Sequence, residues 1–391
     1  MDRKLTGKYA IVGVGQSPLG KVPDMGPLDL LAVAAKNAIE DSGIDKNDID
    51  GLITRGPDDI NNHHQRIGQV LGLDVNFSTS TDNGGASQIV NVAIACMAIE
   101  AGMCNTVLVG YARDSWSRSH RNRSANMMVQ TTDPSLARRE FGPEFGMFGA
   151  PVNYALSARL HMQQYGTTKE QLGSIALAFR EHAQRNPLAF IQKPLTMEDY
   201  LDAKTIVDPL SFYDCSIFAD AGGAVVVTTL ERAEALAQSP AHILGFGFGN
   251  NLRGWHYGDH MVNTGAKRAG ETAYAMAGVG PKDIDAAQLY DCFTQMVLLQ
   301  LEDYGFCEKG EGGPFAASGA LRLGGVLPTN TSGGQLSEAH AEGMLQVVEG
   351  VHQARRDYGP DRQVKDAELV FVSGHGGATT CQSALILGNH R

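Results

Sequence analysis

The chain repeats itself. The segment SGIDKNDID at 42–50 returns as AGVGPKDID at 277–285, each time after a helical pattern and before an apolar strand-like run. The register is fixed, because the glycines give 278 − 43 = 235 and the closing aspartates give 285 − 50 = 235. Duplication is the simplest source of such self-similarity. It predicts two halves of like topology, residues 1–250 and 251–391, with a long insertion at about 113–212 inside the first. Strands are expected at 9–14, 106–110, 222–230, 243–248 and 369–373, and helices at 27–42, 151–165, 168–185 and 265–276. Leu289–Phe293 is read as the counterpart of Leu52–Gly56, and Asn330–Gly334 as that of Asn83–Ala86, followed by a helix over 336–355. Alternating strands and helices in both halves give an α/β fold with mixed sheets covered on their faces.

Within the first half, FSTSTDNGGASQIVNVAIACMAIEAG at 77–102 reads as strand, paired-glycine turn and buried helix. In α/β enzymes such a turn presents a nucleophile at a helix N-terminus, where backbone N–H groups and the helix dipole favour negative charge. Here the turn carries Gly85, and Ser87 stands just inside the helix as either an N-terminal cap or a nucleophile.

A net charge of −11 excludes general nucleic-acid binding, which needs a basic surface. The six cysteines form no CxxC pair and no metal-ligand spacing, a usage that suits a reducing cytoplasm. No stretch approaches the roughly 20 apolar residues of a membrane span. A cytoplasmic protein without a metal site of its own is expected.

Two tandem halves, the glycine turn, LYDCFT at 289–294, NTSGG at 330–334 with His340 six residues beyond, and SGHGG at 373–377 together resemble the thiolase superfamily over nearly the whole chain. The wording of LYDCFT, DYGFCEKGEGGPF and LPTNTSGGQLSEA resembles its lipid-transfer-protein branch of the sterol carrier type, which includes the aldolases that shorten steroid side chains. The resemblance implies the thiolase fold, two pseudo-duplicated halves layered as αβαβα. It also implies a homodimer core, and a small partner subunit that carries a zinc ribbon and an oligonucleotide-type barrel. The departures are chemical. The superfamily's nucleophilic cysteine falls on Gly85, and its second, acid/base cysteine falls on Val372, so the usual cysteine-based Claisen steps are closed to this chain.

What remains is proton transfer beside a thioester. His340 matches the superfamily's catalytic histidine, where the side-chain aldolases carry a tyrosine, and an imidazole there serves as oxyanion donor or general base. Tyr290 matches the catalytic tyrosine of the aldolases and can exchange a proton with a hydroxyl. His375, in the last glycine turn, is either a second proton-transfer group or a turn residue. Asp291 is structural support. Backbone N–H groups at Gly85 and Gly376 complete an oxyanion site. Ser87, Arg121, Arg123, His256 and Tyr257 are candidates for contacts with substrate, the arginines with coenzyme A phosphates. The expected reaction is retro-aldol cleavage of a β-hydroxyacyl-CoA to a shorter acyl-CoA and a ketone or aldehyde, with coenzyme A as part of the substrate and no bound cofactor. Two alternatives stand beside it: acyl transfer or thiolysis through a non-standard nucleophile, and a non-catalytic scaffold that binds acyl-CoA.

Overall fold

The computed structural model describes residues 5–56, 60–121, 146–147, 149–252 and 259–390. Its first strands are β1 (Tyr9–Gln16), β2 (Gly51–Thr54), β3 (Phe77–Ser80) and β4 (Thr106–Asp114). A small ribbon in the insertion, β5 (Thr205–Val207) and β6 (Leu210–Ser211), precedes β7 (Asp220–Thr229), β8 (Ala241–Asn250), β9 (Ala286–Gln288), β10 (Leu369–Gly376) and β11 (Cys381–Gly388). Nine strands form one mixed sheet in the order β3-β2-β4-β7-β1-β8-β11-β10-β9. The two expected sheets are thus joined through a short antiparallel pairing of β1 with β8.

Strand order exposes the duplication. Outward from the seam, β1, β7, β4 and β2 answer to β8, β11, β10 and β9, and in each half the outermost of these pairs is parallel. Two readings of the sequence are corrected here. The strand at 243–248 opens the second half, because β8 pairs along most of its length with β11. The counterpart of β2 is β9 at 286–288, where 286 − 51 = 235, and not Leu289–Phe293. The corrected register makes Tyr290 the equivalent of Arg55, since 290 − 55 = 235.

Helix α1 (Pro27–Ser42) has proline at its first turn, a bond from Gly26 N–H to the Asp29 carboxylate, and a left-handed glycine stop at Gly43. It lies flat on β1 because Gly13 and Gly15 lack side chains. A Cβ on Gly13 would meet Ala38 O and would lie 2.6 Å from Ser42 Cβ. Helix α2 (His63–Leu71) covers the same face. Helix α3 (Ser87–Glu100) fills the centre, and α4 (Ser115–Arg121) opens the insertion, which continues as α5 (Ala150–Tyr165) and α6 (Lys169–Arg185). In the second half, α7 (Ala266–Ala277) lies on β8 through Gly245, whose Cβ would meet Ala273 O and Ala277 N. The contacts repeat in register: 273 − 38 = 235 and 277 − 42 = 235.

Helix α8 (Thr294–Asp303) packs beside α7 on the outer face of the second half. The α5 and α6 helices of the insertion join that same apolar cluster through Tyr154, Leu172, Ile175 and Phe179. The expected helix at 336–355 is broken. It forms α9 (Gly334–Ser337) and α10 (Met344–Arg355), separated by a loop in which Glu342 and Gly343 adopt φ of 46° and 85°. Consecutive left-handed residues cannot continue a right-handed helix. The α3 and α10 helices share one buried cluster with strands of both halves, between two outer helical layers, which gives the αβαβα architecture. Among the described residues, no helix is long and apolar enough to cross a membrane.

The matched glycines give a first prediction. Gly13→Ala and Gly245→Ala each force a methyl into a helix backbone, and each is expected to lower stability by about 1–3 kcal/mol in urea unfolding. A cost at only one of the two would contradict equivalent packing.

Candidate active site

Four segments meet where the halves face each other. The turn at 83–85 precedes α3, and residues 289–292 follow β9. The loop at 338–343 joins α9 to α10, and the turn at 374–377 lies at the end of β10. The two glycine turns touch backbone to backbone. A Cβ on Gly84 would lie 2.9 Å from Gly376 Cα, one on Gly374 the same distance from Ala86 Cα, and one on Gly376 would fall on Asn83 O. Only glycine permits that approach.

Tyr290 fills the space beside Gly85. A Cβ built on Gly85 would stand among Cε2, Cζ and Oη of the Tyr290 ring, closer than non-bonded atoms approach. The ring is 5% exposed, and its backbone is fixed on both sides. Tyr290 N–H donates to Ser373 Oγ at 2.9 Å, and Tyr290 O accepts from Gln300 Nε2 at 2.7 Å. Next to it, fully buried Asp291 turns away and accepts from the N–H groups of Gln335 and Leu336 at 2.9 and 3.2 Å and from Gln346 Nε2 at 2.9 Å. Burial pushes the Asp291 carboxyl up to about 6 against the pull of these bonds. It ties the strand end to α9 and so to the His340 loop.

His340 Nε2 lies 3.4 Å from Tyr290 Oη, and its Nδ1 lies 3.2 Å from Ser216 Oγ. Burial, with Arg113 and Arg55 adding to it, holds the imidazole well below its usual range. His340 is therefore neutral near pH 7, suited to exchange a hydrogen bond with the phenol. Burial drives the Tyr290 phenol well above 10, with Cys292 and Glu342 adding to the rise while the same two arginines oppose it. His375 also stands beside the phenol, its ring centroid 5.5 Å from that of Tyr290. Its Nε2 bonds Tyr154 Oη at 2.7 Å and its Nδ1 bonds Gln382 Nε2 at 2.8 Å, and burial lowers it to about 4.

The other candidates divide. Gly85 and Gly376 both lie in the meeting turns. Ser87 is fully buried, and its Oγ accepts from Asn83 N–H at 2.7 Å; it fixes the turn and presents no nucleophile, which corrects its candidacy for substrate contact. Arg121, half exposed, folds back onto Asp114 and Pro23 O. Arg123, His256 and Tyr257 lie outside the described residues. Every cysteine thiol is pushed up by burial, to about 11 for Cys104 and about 12 for Cys215 and Cys307, so none is activated. Sequence reasoning missed Arg55, Tyr154, Ser216, Ser373 and Glu342. Arg55 was within reach, since the repeat register places it on Tyr290.

Comparison with known proteins gives the family. The family model described as "Thiolase C-terminal domain-like" matches residues 252–389. Over 99% of both chains the sequence is 36% identical to the steroid side-chain-cleaving aldolase of Thermomonospora curvata. The chain belongs to the thiolase superfamily. It lies in that superfamily's lipid-transfer-protein branch. It is also 34% identical to 17-hydroxy-3-oxo-4-pregnene-20-carboxyl-CoA lyase of Mycobacterium tuberculosis, over 98% of this chain and 100% of that one. The solved Ltp2-ChsH2(DUF35) aldolase superposes with a TM-score of 0.87 at 36% identity, covering 98% of each chain.

Two predictions follow from the packing and the charges. Gly85→Ala is expected to cost about 1–3 kcal/mol by urea unfolding, and most of that cost should vanish in a Tyr290→Ala background, because one clash underlies both changes. Additive losses would contradict the steric account. For pH, the folded pKa of His375 lies below the ordinary 6.5, so the unfolded chain binds the proton more tightly. Its contribution to stability is present above pH 6.5 and is lost as pH falls toward 4. His375→Gln is expected to flatten the decline of the urea midpoint over that window.

Proposed function

We propose that this protein is a thiolase-fold lyase that cleaves a β-hydroxyacyl-CoA by a retro-aldol reaction, with coenzyme A entering only as part of the substrate. The observation that carries this reading is the exclusion at Gly85. The place of the nucleophile is held by a phenol in contact with an imidazole, and no acyl-enzyme can form on a side chain that has no room. The names of the two full-length relatives, an aldolase and a lyase acting on a carboxyl-CoA, support the same chemistry.

In this mechanism the β-hydroxyl of the substrate lies against Tyr290 Oη. The Tyr290–His340 pair takes the hydroxyl proton as the Cα–Cβ bond breaks, leaving a ketone or aldehyde and the enolate of a shorter acyl-CoA. The enolate oxygen is met by backbone N–H groups of the turns carrying Gly85 and Gly376, at the start of α3, where the helix dipole favours negative charge. A proton returned to Cα completes the cycle, and His375, bonded to Tyr154 and beside the phenol, is the group we propose to relay it. An imidazole that is neutral at rest is free to accept the proton passed through the phenol, and the imidazolium so formed balances the enolate until Cα is protonated.

We propose further that the chain forms a thiolase-like homodimer and works with a small partner subunit that holds the zinc, as the DUF35 component named in the related aldolase structure suggests. The two halves of the chain, divided just before β8 at Ala241, act as one catalytic unit.

The test is kinetic. Tyr290→Phe removes only the hydroxyl and is expected to lower kcat by about 10²–10⁴, with acyl-CoA binding retained. His340→Asn is expected to fall less, by about 10–10², since an amide can still hydrogen-bond the phenol. Wild-type turnover in Tyr290→Phe would remove the assignment.

A further inference from the structure

The loop that carries His340 is held from the opposite half of the molecule. Glu342, two residues beyond His340, has a left-handed backbone at φ 46° and points its carboxylate at the ends of two first-half strands. Arg55 Nη1, just past β2, lies 2.5 Å from Glu342 Oε2, and Arg113 Nη1, near the end of β4, lies 3.2 Å from Oε1. The Tyr111 hydroxyl, fully buried on β4, accepts from Arg55 Nη1 at 3.3 Å and so helps hold that guanidinium in place. Arg55 spans from there to Asp82, beside the 83–85 turn, at 3.2 Å. Glu342 and the Arg55 side chain are largely buried, at 14% and 9% exposure. Gly343 comes next, and a Cβ there would lie 3.0 Å from Gly85 O and 3.2 Å from Tyr290 Cδ2. The loop therefore wraps the phenol, with His340 at the hydroxyl and Gly343 at the ring edge, and Glu342 is pinned between them.

We infer that Glu342, clamped by Arg55 and Arg113, is the positioning residue that sets the contact between His340 and Tyr290. This inference rests on the proposed role of those two residues. Duplication gives it a structural logic. At the end of the parallel strand, one half presents Tyr290 to the site, and the other presents Arg55 to the loop that closes on Tyr290. A buried ion pair of this kind is strongly directional. Removing one partner leaves uncompensated charge and releases whatever the pair was orienting. Misplacement of a reacting group by about 1 Å can cost about 10²-fold in rate.

The experiment uses the full chain with Glu342→Gln, Glu342→Asp, Arg113→Gln and the Glu342→Gln/Arg113→Gln double variant. Glu342→Gln is expected to lower kcat by about 10–10² with KM within about threefold of wild type, Glu342→Asp to recover part of that loss, and the double variant to be no worse than the worse single. Side-chain ¹⁵N NMR of histidine-labelled protein, with the His340 signal assigned by His340→Asn, is expected to show that signal shifted in Glu342→Gln while the His375 signal stays. If kcat falls only in step with Tm and acyl-CoA binding, and the His340 signal is unmoved, the clamp is a structural staple and the inference is overturned. If wild-type protein cleaves no β-hydroxyacyl-CoA, the functional proposal fails separately, and the NMR shift still decides whether Glu342 positions His340.

Discussion

The space beside the Gly85 backbone holds one side chain, and Tyr290 takes it. The rest of the site follows from that exclusion. Neighbouring glycines at 84, 374 and 376 bring two turns into backbone contact, which closes the floor under the phenol. Ser373 and Gln300 fix the tyrosine backbone, and Asp291 ties the strand end to α9. A cysteine at 85 would need a smaller residue at 290. The thiolase scaffold can therefore offer a thiol or a phenol at this point, but not both.

The duplicated frame explains how one fold holds such a site. Each half supplies a parallel strand that ends at the interface, and each has a helix packed through glycines onto its seam strand. The helices α3 and α10 fill the layer between the halves and bring their N-terminal turns to the same place. Charge is kept out of the resting site: His340 and His375 are neutral near pH 7, and the ion pairs stand one layer back, at Glu342, Arg55 and Arg113. Burial raises the phenol's pKa, so its proton leaves only as part of a concerted exchange.

Much of this was legible in the sequence because it is written in local signals. The repeated Gly43/Gly278 stop, the paired glycines at 84–85 and the apolar run of α3 each specify conformation within a few residues. The resemblance to the thiolase superfamily then placed Tyr290, His340 and His375 together, and the structure brings them together. The errors arose where the signal is long-range. A short apolar strand does not name its partner, so β8 was placed with the wrong half. LYDCFT drew the second strand forward, although the repeat register already fixed it at 286–288. Tyr154 reaches His375 across 221 residues, and Glu342 meets Arg113 across 229; no pattern within either segment reports such a contact. The left-handed Gly343 was a local signal that helix periodicity overrode.

The central claim is that carbon–carbon cleavage proceeds without an acyl-enzyme and without free coenzyme A. The most direct measurement is mass spectrometry of the products formed from a β-hydroxyacyl-CoA in D₂O, with the free thiol of coenzyme A followed in parallel. The account predicts a ketone or aldehyde, a shorter acyl-CoA bearing one solvent deuterium at Cα, and no consumption of free coenzyme A. Cleavage that requires added coenzyme A and leaves both fragments as thioesters, or an acyl adduct on the protein, would contradict it.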